Sequence, residues 1–340
     1  MVAQIDKRYV ARSLKQSAVR LLSYALYEGR PLTTRGRWIN PLVFARARAV
    51  ARGEQRAPVE KPVFIIGTGR SGTTVLGVVL SLHQKIGFLN EPKAMWHTAF
   101  ANEDLPGNYT TAPARYRLDA EDADRQTAET MQRLYGGYLS TSRTTRVLDK
   151  YPELIFRVPF VRQIFPDARF LFLARNGEDT ISSITAWSQR HGERSPDETV
   201  DWWGTNNRKW HCLVEQLVAE DPLFAGVADE IAALTSHTDM AAVEWILSMQ
   251  EGRRLVEQLP DAVLEVRYED LVSLPVETLG NIMKFCELEP DAAVFNYATE
   301  ILEPGRRQSQ PAELHPAVQE PFEKIMQVMG YRQAGEGAGG

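Results

Sequence analysis

Ten residues, Gly67-Thr68-Gly69-Arg70-Ser71-Gly72-Thr73-Thr74-Val75-Leu76, constrain this chain more than any other stretch of it. They follow Val63-Phe64-Ile65-Ile66, a short apolar, β-branched run that reads as a buried parallel strand. They lead into Val75–Leu82, whose apolar spacing suits a helix. Strand, glycine-rich turn and helix together make a phosphate cradle. Backbone N–H groups at the helix start face the anion, and glycine lets the chain approach it closely. The six-residue frame of a Walker A loop runs from Gly67 to Gly72, but Thr73 stands where that loop needs lysine. The cation has moved upstream to Arg70. Such a loop grips phosphate without the lysine that spans the β- and γ-phosphates of a nucleoside triphosphate.

A second anion site is signalled by Arg169–Arg175, an apolar strand that ends in arginine. Asn176-Gly177-Glu178-Asp179 then turns the chain into a helix carrying Ser182 and Ser183. Ligands of open parallel sheets bind beyond the carboxyl ends of strands, and a guanidinium takes phosphate in a bidentate fork. Downstream, Leu264–Leu271 is a strand leaving into Tyr268-Glu269-Asp270, followed by Pro275 and a helix toward Phe285. Further strands are expected at Ile86–Leu89, Arg146–Leu148, Arg169–Leu173 and Val263–Val266, separated by helix-length segments. That alternation predicts an α/β fold with a parallel sheet and right-handed crossovers.

From Lys61 to Phe285 these segments, in this order, resemble the sulfotransferases that use 3′-phosphoadenosine 5′-phosphosulfate (PAPS). Arg70 takes the place of a lysine in the cytosolic members, as in the tyrosylprotein and many bacterial ones. The resemblance implies a three-layer, P-loop-NTPase-like fold, its central parallel sheet flanked by helices. It implies that Gly69, Arg70, Ser71, Gly72, Thr73 and Thr74 hold the 5′-phosphosulfate. Arg175 and Ser183, eight residues apart, would take the 3′-phosphate, with Ser182 a rival to Ser183. Tyr268 would border the adenine, and Glu269 or Asp270 would cap the next helix. The basic pair Arg306-Arg307 would return to the cofactor, although its surroundings match the family poorly.

Sulfuryl transfer to a hydroxyl or amine must neutralise charge, supply a base and align the reacting atoms in line. Protein cations can do the first task, so no metal is called for. Lys150, in Val147-Leu148-Asp149-Lys150-Tyr151-Pro152, matches the family lysine that touches the sulfuryl oxygens. The cytosolic histidine base falls two residues later, where this chain has Pro152. Glu91, in Phe88-Leu89-Asn90-Glu91-Pro92, resembles the glutamate of tyrosylprotein and bacterial members. Partial burial is expected to raise its pKa and make it a competent base. His83 and His97 stay open as alternatives. The acceptor is open among carbohydrate, lipid-linked alcohol, small metabolite and protein tyrosine. Trp96, Trp187, Trp202, Trp203, Trp210 and Trp245 are candidate stacking walls. Two rival readings are a kinase or NTPase-like enzyme leaning on Asp149 for Mg²⁺, and a non-catalytic nucleotide-binding protein. Lys150 and Glu91 beside both anion sites argue against the second.

The net charge of −5 does not suit a protein that coats nucleic acid. It is unevenly spread: residues 1–56 carry twelve Lys/Arg against Asp6, Glu28 and Glu54. Val10–Tyr27 is predicted as one amphipathic helix, with Val10, Leu14, Ala18, Leu21, Leu22 and Ala25 on the packing face. Arg8, Arg12, Lys15 and Arg20 ride its polar side. This helix is expected to pack on the domain or on a second subunit of a homodimer, or to meet an anionic membrane or acidic partner. The expected division is a basic helical arm (1–56), a sulfotransferase α/β domain (57–330) and a flexible tail (331–340). A helical insertion at about 190–250 would shape the acceptor pocket, and residues 100–130 would form a mobile excursion. Cys212 and Cys286 have no metal spacing and are expected to be reduced. No apolar run approaches eighteen residues and no signal-peptide core is present, so a cytoplasmic location is expected, with any membrane contact peripheral.

Overall fold

In a computed structural model, which describes residues 3–34, 36–303 and 311–332, the five apolar runs form one all-parallel sheet. Its strands are β1 (Val63–Gly67), β2 (Ile86–Asn90), β3 (Arg146–Lys150) and β4 (Arg169–Ala174). Three short strands, β5 (Glu193–Arg194), β6 (Thr199–Asp201) and β7 (Gly204–Thr205), then form a separate antiparallel sheet. The chain re-enters the main sheet as β8 (Val263–Arg267), giving the order β2-β3-β1-β4-β8. Helices cover both faces, so the central strands β1 and β4 are buried on both sides. Phe64 and Ile66 face one core with Trp96 and Phe170, and Val63 and Ile65 face the other with Leu76 and Leu148. From β1 the chain runs to the edge strand β2, returns through β3, and crosses back over to β4. The order reverses at β1, where the phosphate cradle sits.

The amino-terminal region departs from its expected form. It makes α1 (Lys7–Arg12), α2 (Leu14–Leu26) and α3 (Asn40–Arg52). Ser13 breaks the predicted single helix with an extended backbone, and its hydroxyl accepts the Gln16 N–H at 3.2 Å. The faces of α2 are also reversed. Gln16, Ser17, Arg20 and Ser23 are buried, while Leu14, Ala18 and Leu21 point outward. The reason is the neighbourhood: α2 lies on the edge of the sheet, where polar groups need partners. Gln16 Nε2 donates to the His83 carbonyl at 2.6 Å, and Ser23 shares a 2.7 Å hydrogen bond with the Tyr138 hydroxyl. Arg20 makes a two-pronged ion pair with Glu28 at 2.5 and 2.9 Å, and Glu28 Oε1 accepts the Asn90 N–H at 2.8 Å. Helices α1, α2 and α3 thus pack against the rest of the described chain, one of the placements expected for this segment.

Two other expectations need correction. Residues 190–250 are not helical throughout, because the antiparallel sheet opens them. Gly204 (φ +79°), Asn206 (φ +50°) and Asn207 (φ +59°) supply the left-handed turns that end it. Residues 100–130 are tied down rather than loose: the buried Asp104 carboxylate accepts the N–H groups of Asn108, Tyr109 and Thr110 at 2.9, 2.7 and 3.1 Å. Arg306, Arg307 and residues 333–340 of the expected tail lie outside the described residues.

Candidate active site

The polar residues singled out above sit at the carboxyl ends of the parallel strands or one residue past them. Gly67 closes β1 at φ +139°, where a Cβ would stand 2.7 Å from the Leu173 carbonyl oxygen. Gly72 caps the next helix, α4 (Thr73–Leu80), at φ +100°, and a Cβ there would collide with the Tyr268 ring. Both positions require glycine. Between them Arg70 reaches across the sheet end, its Nε donating to Ser183 Oγ at 3.2 Å. Arg175, one residue past β4, donates from Nη1 to the Arg70 carbonyl at 3.0 Å, and its guanidinium lies 4.4 Å over the Tyr268 ring. Ser183 lines the central cavity, whereas Ser182 is exposed. Among the described residues neither Arg70 nor Arg175 has a carboxylate partner, and the buried Arg175 Nε has no hydrogen-bond acceptor. Two unneutralised guanidiniums beside a helix N-terminus suit a ligand with two anionic groups.

The second half of the cavity, which measures about 370 Å³, is built on β2 and β3. Asn90 and Lys150 are register partners, and the Glu91 N–H donates to the Lys150 carbonyl at 2.8 Å. Glu91 turns away at φ +52°, and its carboxylate is ion-paired with Lys150 Nζ. Helix α5 (Lys93–Ala99) follows at once and brings Lys93 Nζ within 3.4 Å of Glu91 and 3.7 Å of Glu153. Lys209 continues the alternation, 3.5 Å from Glu153 and 2.6 Å from Glu244. Glu244 in turn accepts the Trp202 indole N–H at 2.7 Å. Burial pushes the Glu91 pKa up, but the ammonium groups of Lys150 and Lys93 outweigh it and hold the carboxyl below its usual range. This overturns the expectation of a raised pKa. Glu153 is also buried, yet Lys93 and Lys209 hold its pKa down at about 2.

Residues 62–226 match the model of the sulfotransferase family. The matched segment belongs to the sulfotransferase family. Nodulation protein NoeE of Sinorhizobium fredii (strain NBRC 101917 / NGR234) is 27% identical over 252 residues, which is 70% of this chain and 53% of NoeE. The chain therefore spans about half the length of that relative. The fold is shared with a sulfotransferase domain from the curacin biosynthetic pathway, at TM-score 0.50 and 15% identity over 82% of this chain and all of that one. It is shared too with sulfotransferase STF9 from Mycobacterium avium, at TM-score 0.51 and 14% identity, covering 96% and 97% of the two chains.

Within this sulfotransferase domain the alternative bases lie elsewhere. His83 sits at the opposite end of the sheet, just before β2, with Nε2 3.0 Å from the Glu289 carbonyl. His97 packs between Phe44 and Tyr109, at ring distances of 5.8 and 5.5 Å. Asp149, the residue a kinase would need for Mg²⁺, points into the core. Its Oδ2 accepts the Trp96 indole N–H at 2.8 Å and the Tyr135 hydroxyl at 2.5 Å. Trp96, Trp203, Trp210 and Trp245 are buried, and only Trp187 and Trp202 of the six candidates line the cavity. Trp202 stands against Gly69, where a Cβ would strike its ring. Lys93, Glu153, Lys209 and Glu244 had no local signal, since they come from four separate segments. A clue lay only in their type: buried charged residues occur almost always in pairs.

Proposed function

We propose that this protein is a PAPS-dependent sulfotransferase that transfers the sulfuryl group directly to an uncharged hydroxyl (or amine), with Glu91 as general base. The observation that carries the reading is the convergence on one cavity of two unneutralised arginines and the Lys150–Glu91 pair. Arg70, the Gly69–Thr74 backbone and the Thr73 and Thr74 hydroxyls would hold the 5′-phosphosulfate. Arg175 and Ser183 would hold the 3′-phosphate, and Tyr268 would border the adenine. PAPS supplies an activated sulfuryl group on a phosphate leaving group. The chain's own residues neutralise, orient and deprotonate. Lys150 lines the cavity shared by the cradle and Glu91. An anion on the cradle side draws its ammonium away from Glu91, and the carboxylate becomes a stronger base at the acceptor oxygen.

The acceptor side supports an uncharged acceptor. Its cations Lys93 and Lys209 are already paired with Glu91, Glu153 and Glu244, so none is free for an acidic group. Pro31, Pro106, Val200 and Trp202 supply apolar wall. The test is thermal unfolding with adenosine 3′,5′-bisphosphate, against ATP–Mg²⁺ and AMP, followed by turnover with PAPS. A ligand at a hundred times its dissociation constant adds about 2.7 kcal/mol of stability. Stabilisation by the bisphosphate and sulfated product from PAPS are the expected results. Preference for ATP–Mg²⁺ would favour a kinase-like enzyme instead, and bisphosphate binding without turnover a non-catalytic protein.

A further inference from the structure

The reversed helix α2 leaves an apolar surface in the open. Among the described residues eight large apolar side chains are exposed, and five of them, Val10, Leu14, Leu21, Trp38 and Leu42, lie in this one segment. Leu14 is 76% and Trp38 83% exposed. Val10, Leu14, Ala18 and Leu21 follow helical spacing along the outward side of α1 and α2. Trp38 lies just before α3 and Leu42 in its first turn, and α3 packs against α2. Exposed cations occur along the same segment: Lys7, Arg8 and Lys15 in and beside α1 and α2, Arg37 and Arg48 in and beside α3. The segment 1–56 carries twelve basic against three acidic residues in a chain whose net charge is −5. Single exposed leucines are ordinary, but a tryptophan and four aliphatics set among lysines and arginines form a patch.

We propose that this face of α1–α3 docks on an anionic lipid surface, with Trp38, Leu14 and Leu21 entering the headgroup layer and the surrounding lysines and arginines facing lipid phosphates. Charge complementarity selects the occupant. A second copy would bring two strongly basic segments face to face, which repels. The apolar side chains stand on helix exteriors, and a bilayer receives them without a matching groove. Trp and Lys/Arg together are the residue types that settle at the membrane interface. Among the described residues no helix is long and apolar enough to cross a membrane, so the contact is peripheral. The same segment lines the cavity through Pro31 and Thr33. Thr33 and Trp38 are five residues apart, a chain span of at most roughly 18 Å. Docking therefore brings the acceptor side of the cavity close to the lipid, whatever the acceptor is.

The full-length protein is sedimented with phosphatidylcholine vesicles prepared with and without phosphatidylserine. Binding is expected only with phosphatidylserine, falling steeply as salt is raised. A Leu14→Ser/Trp38→Ala variant should lose at least about tenfold in vesicle affinity while keeping its melting temperature and its bisphosphate binding. Those two controls separate a docking defect from misfolding and from failure of the sulfotransferase reading. Failure to bind either vesicle overturns the proposal, as does equal vesicle binding by the variant and the parent. A parent that is dimeric by light scattering and a variant that is monomeric would assign the face to a second copy instead. Binding of poly-glutamate by the parent and not by the variant, with neither vesicle bound, would assign it to an acidic protein.

Discussion

Lys150 and Glu91 meet across the ends of two neighbouring strands: the Glu91 N–H is bonded to the Lys150 carbonyl at 2.8 Å, and the side chains are ion-paired above it. Backbone and side chain thus fix the same pair twice. Lys150 is almost fully buried, and Glu91 remains one-third exposed toward the cavity. If Glu91 is the base, Glu91→Gln should lower kcat by about 10²- to 10⁴-fold. Affinity for adenosine 3′,5′-bisphosphate should stay near that of the parent, because Glu91 lies outside the cradle. Calorimetric titration and steady-state kinetics check the two halves, and turnover at the parent rate would remove Glu91 from the mechanism.

Lys150→Met tests the coupling itself. The Lys150 ammonium helps hold the Glu91 pKa below its usual range against the opposing effect of burial. Without that ammonium the Glu91 pKa rises, so the acid limb of the kcat/KM profile should move to higher pH, with kcat lower throughout. An acid limb at the same pH in both proteins would mean that Glu91 is not the group being titrated.

Arg175 and Arg70 should differ in how they fail. Loss of either removes a charged anion contact, worth roughly 1.5–3 kcal/mol, or about 10- to 100-fold in bisphosphate affinity. Arg175 also holds the Arg70 carbonyl at 3.0 Å, so Arg175→Lys should fall almost as far as Arg175→Ala. Arg70→Lys should retain most of its affinity, since a point charge at the cradle suffices. Titration of the four variants with the bisphosphate decides this, and equal affinities for Arg175→Lys and the parent would contradict it.

The strand-end residues were legible in the sequence because motif and element coincide: an apolar run announces the strand, and polar residues within the next two positions reach the ligand face. Arg175 is the first such residue after its run, and Glu91, Lys150 and Tyr268 are each the second. The sheet order was not legible, nor was the direction α2 faces. Periodicity assigns the apolar side to the core, but α2 lies on a sheet edge whose carbonyls and hydroxyls need donors, and Gln16, Arg20 and Ser23 supply them. The pKa direction of Glu91 was missed for a related reason. Its second cation, Lys93, is close in sequence, but its approach to within 3.4 Å of Glu91 depends on the left-handed turn at Glu91.

Arg20 is the residue for which that misreading has the largest stability consequence. It is 1% exposed and paired with Glu28, which also accepts the Asn90 N–H next to Glu91. Arg20→Met leaves a buried carboxylate without its cation and should cost about 3–5 kcal/mol. Adding Glu28→Gln should recover much of that, since the amide oxygen can still accept from Asn90. Urea unfolding of the single and double variants measures both. A loss below about 1 kcal/mol in the single variant would place Arg20 among surface pairs.

Asp149 offers a pH-resolved test of the core beneath the site. Burial pushes its pKa up from the ordinary 3.8 to about 7, against the hydrogen bonds from Tyr135 and Trp96 and the nearby Lys150 charge. The unfolded chain releases this proton near pH 4, whereas the folded protein keeps it until about pH 7. Between those values the native state binds more protons, so this group's contribution to stability falls as pH rises through the window. Asn cannot ionise, its Oδ1 can accept the same two hydrogen bonds, and its amide takes the place of the unpartnered Oδ1 of Asp149. The stability of Asp149→Asn relative to the parent should therefore climb from about pH 4 to about pH 7. At its steepest the gain is on the order of 1 kcal/mol per pH unit. Unfolding midpoints across that range give the difference directly, and a difference that stays flat would mean that Asp149 is ionised in the folded protein throughout.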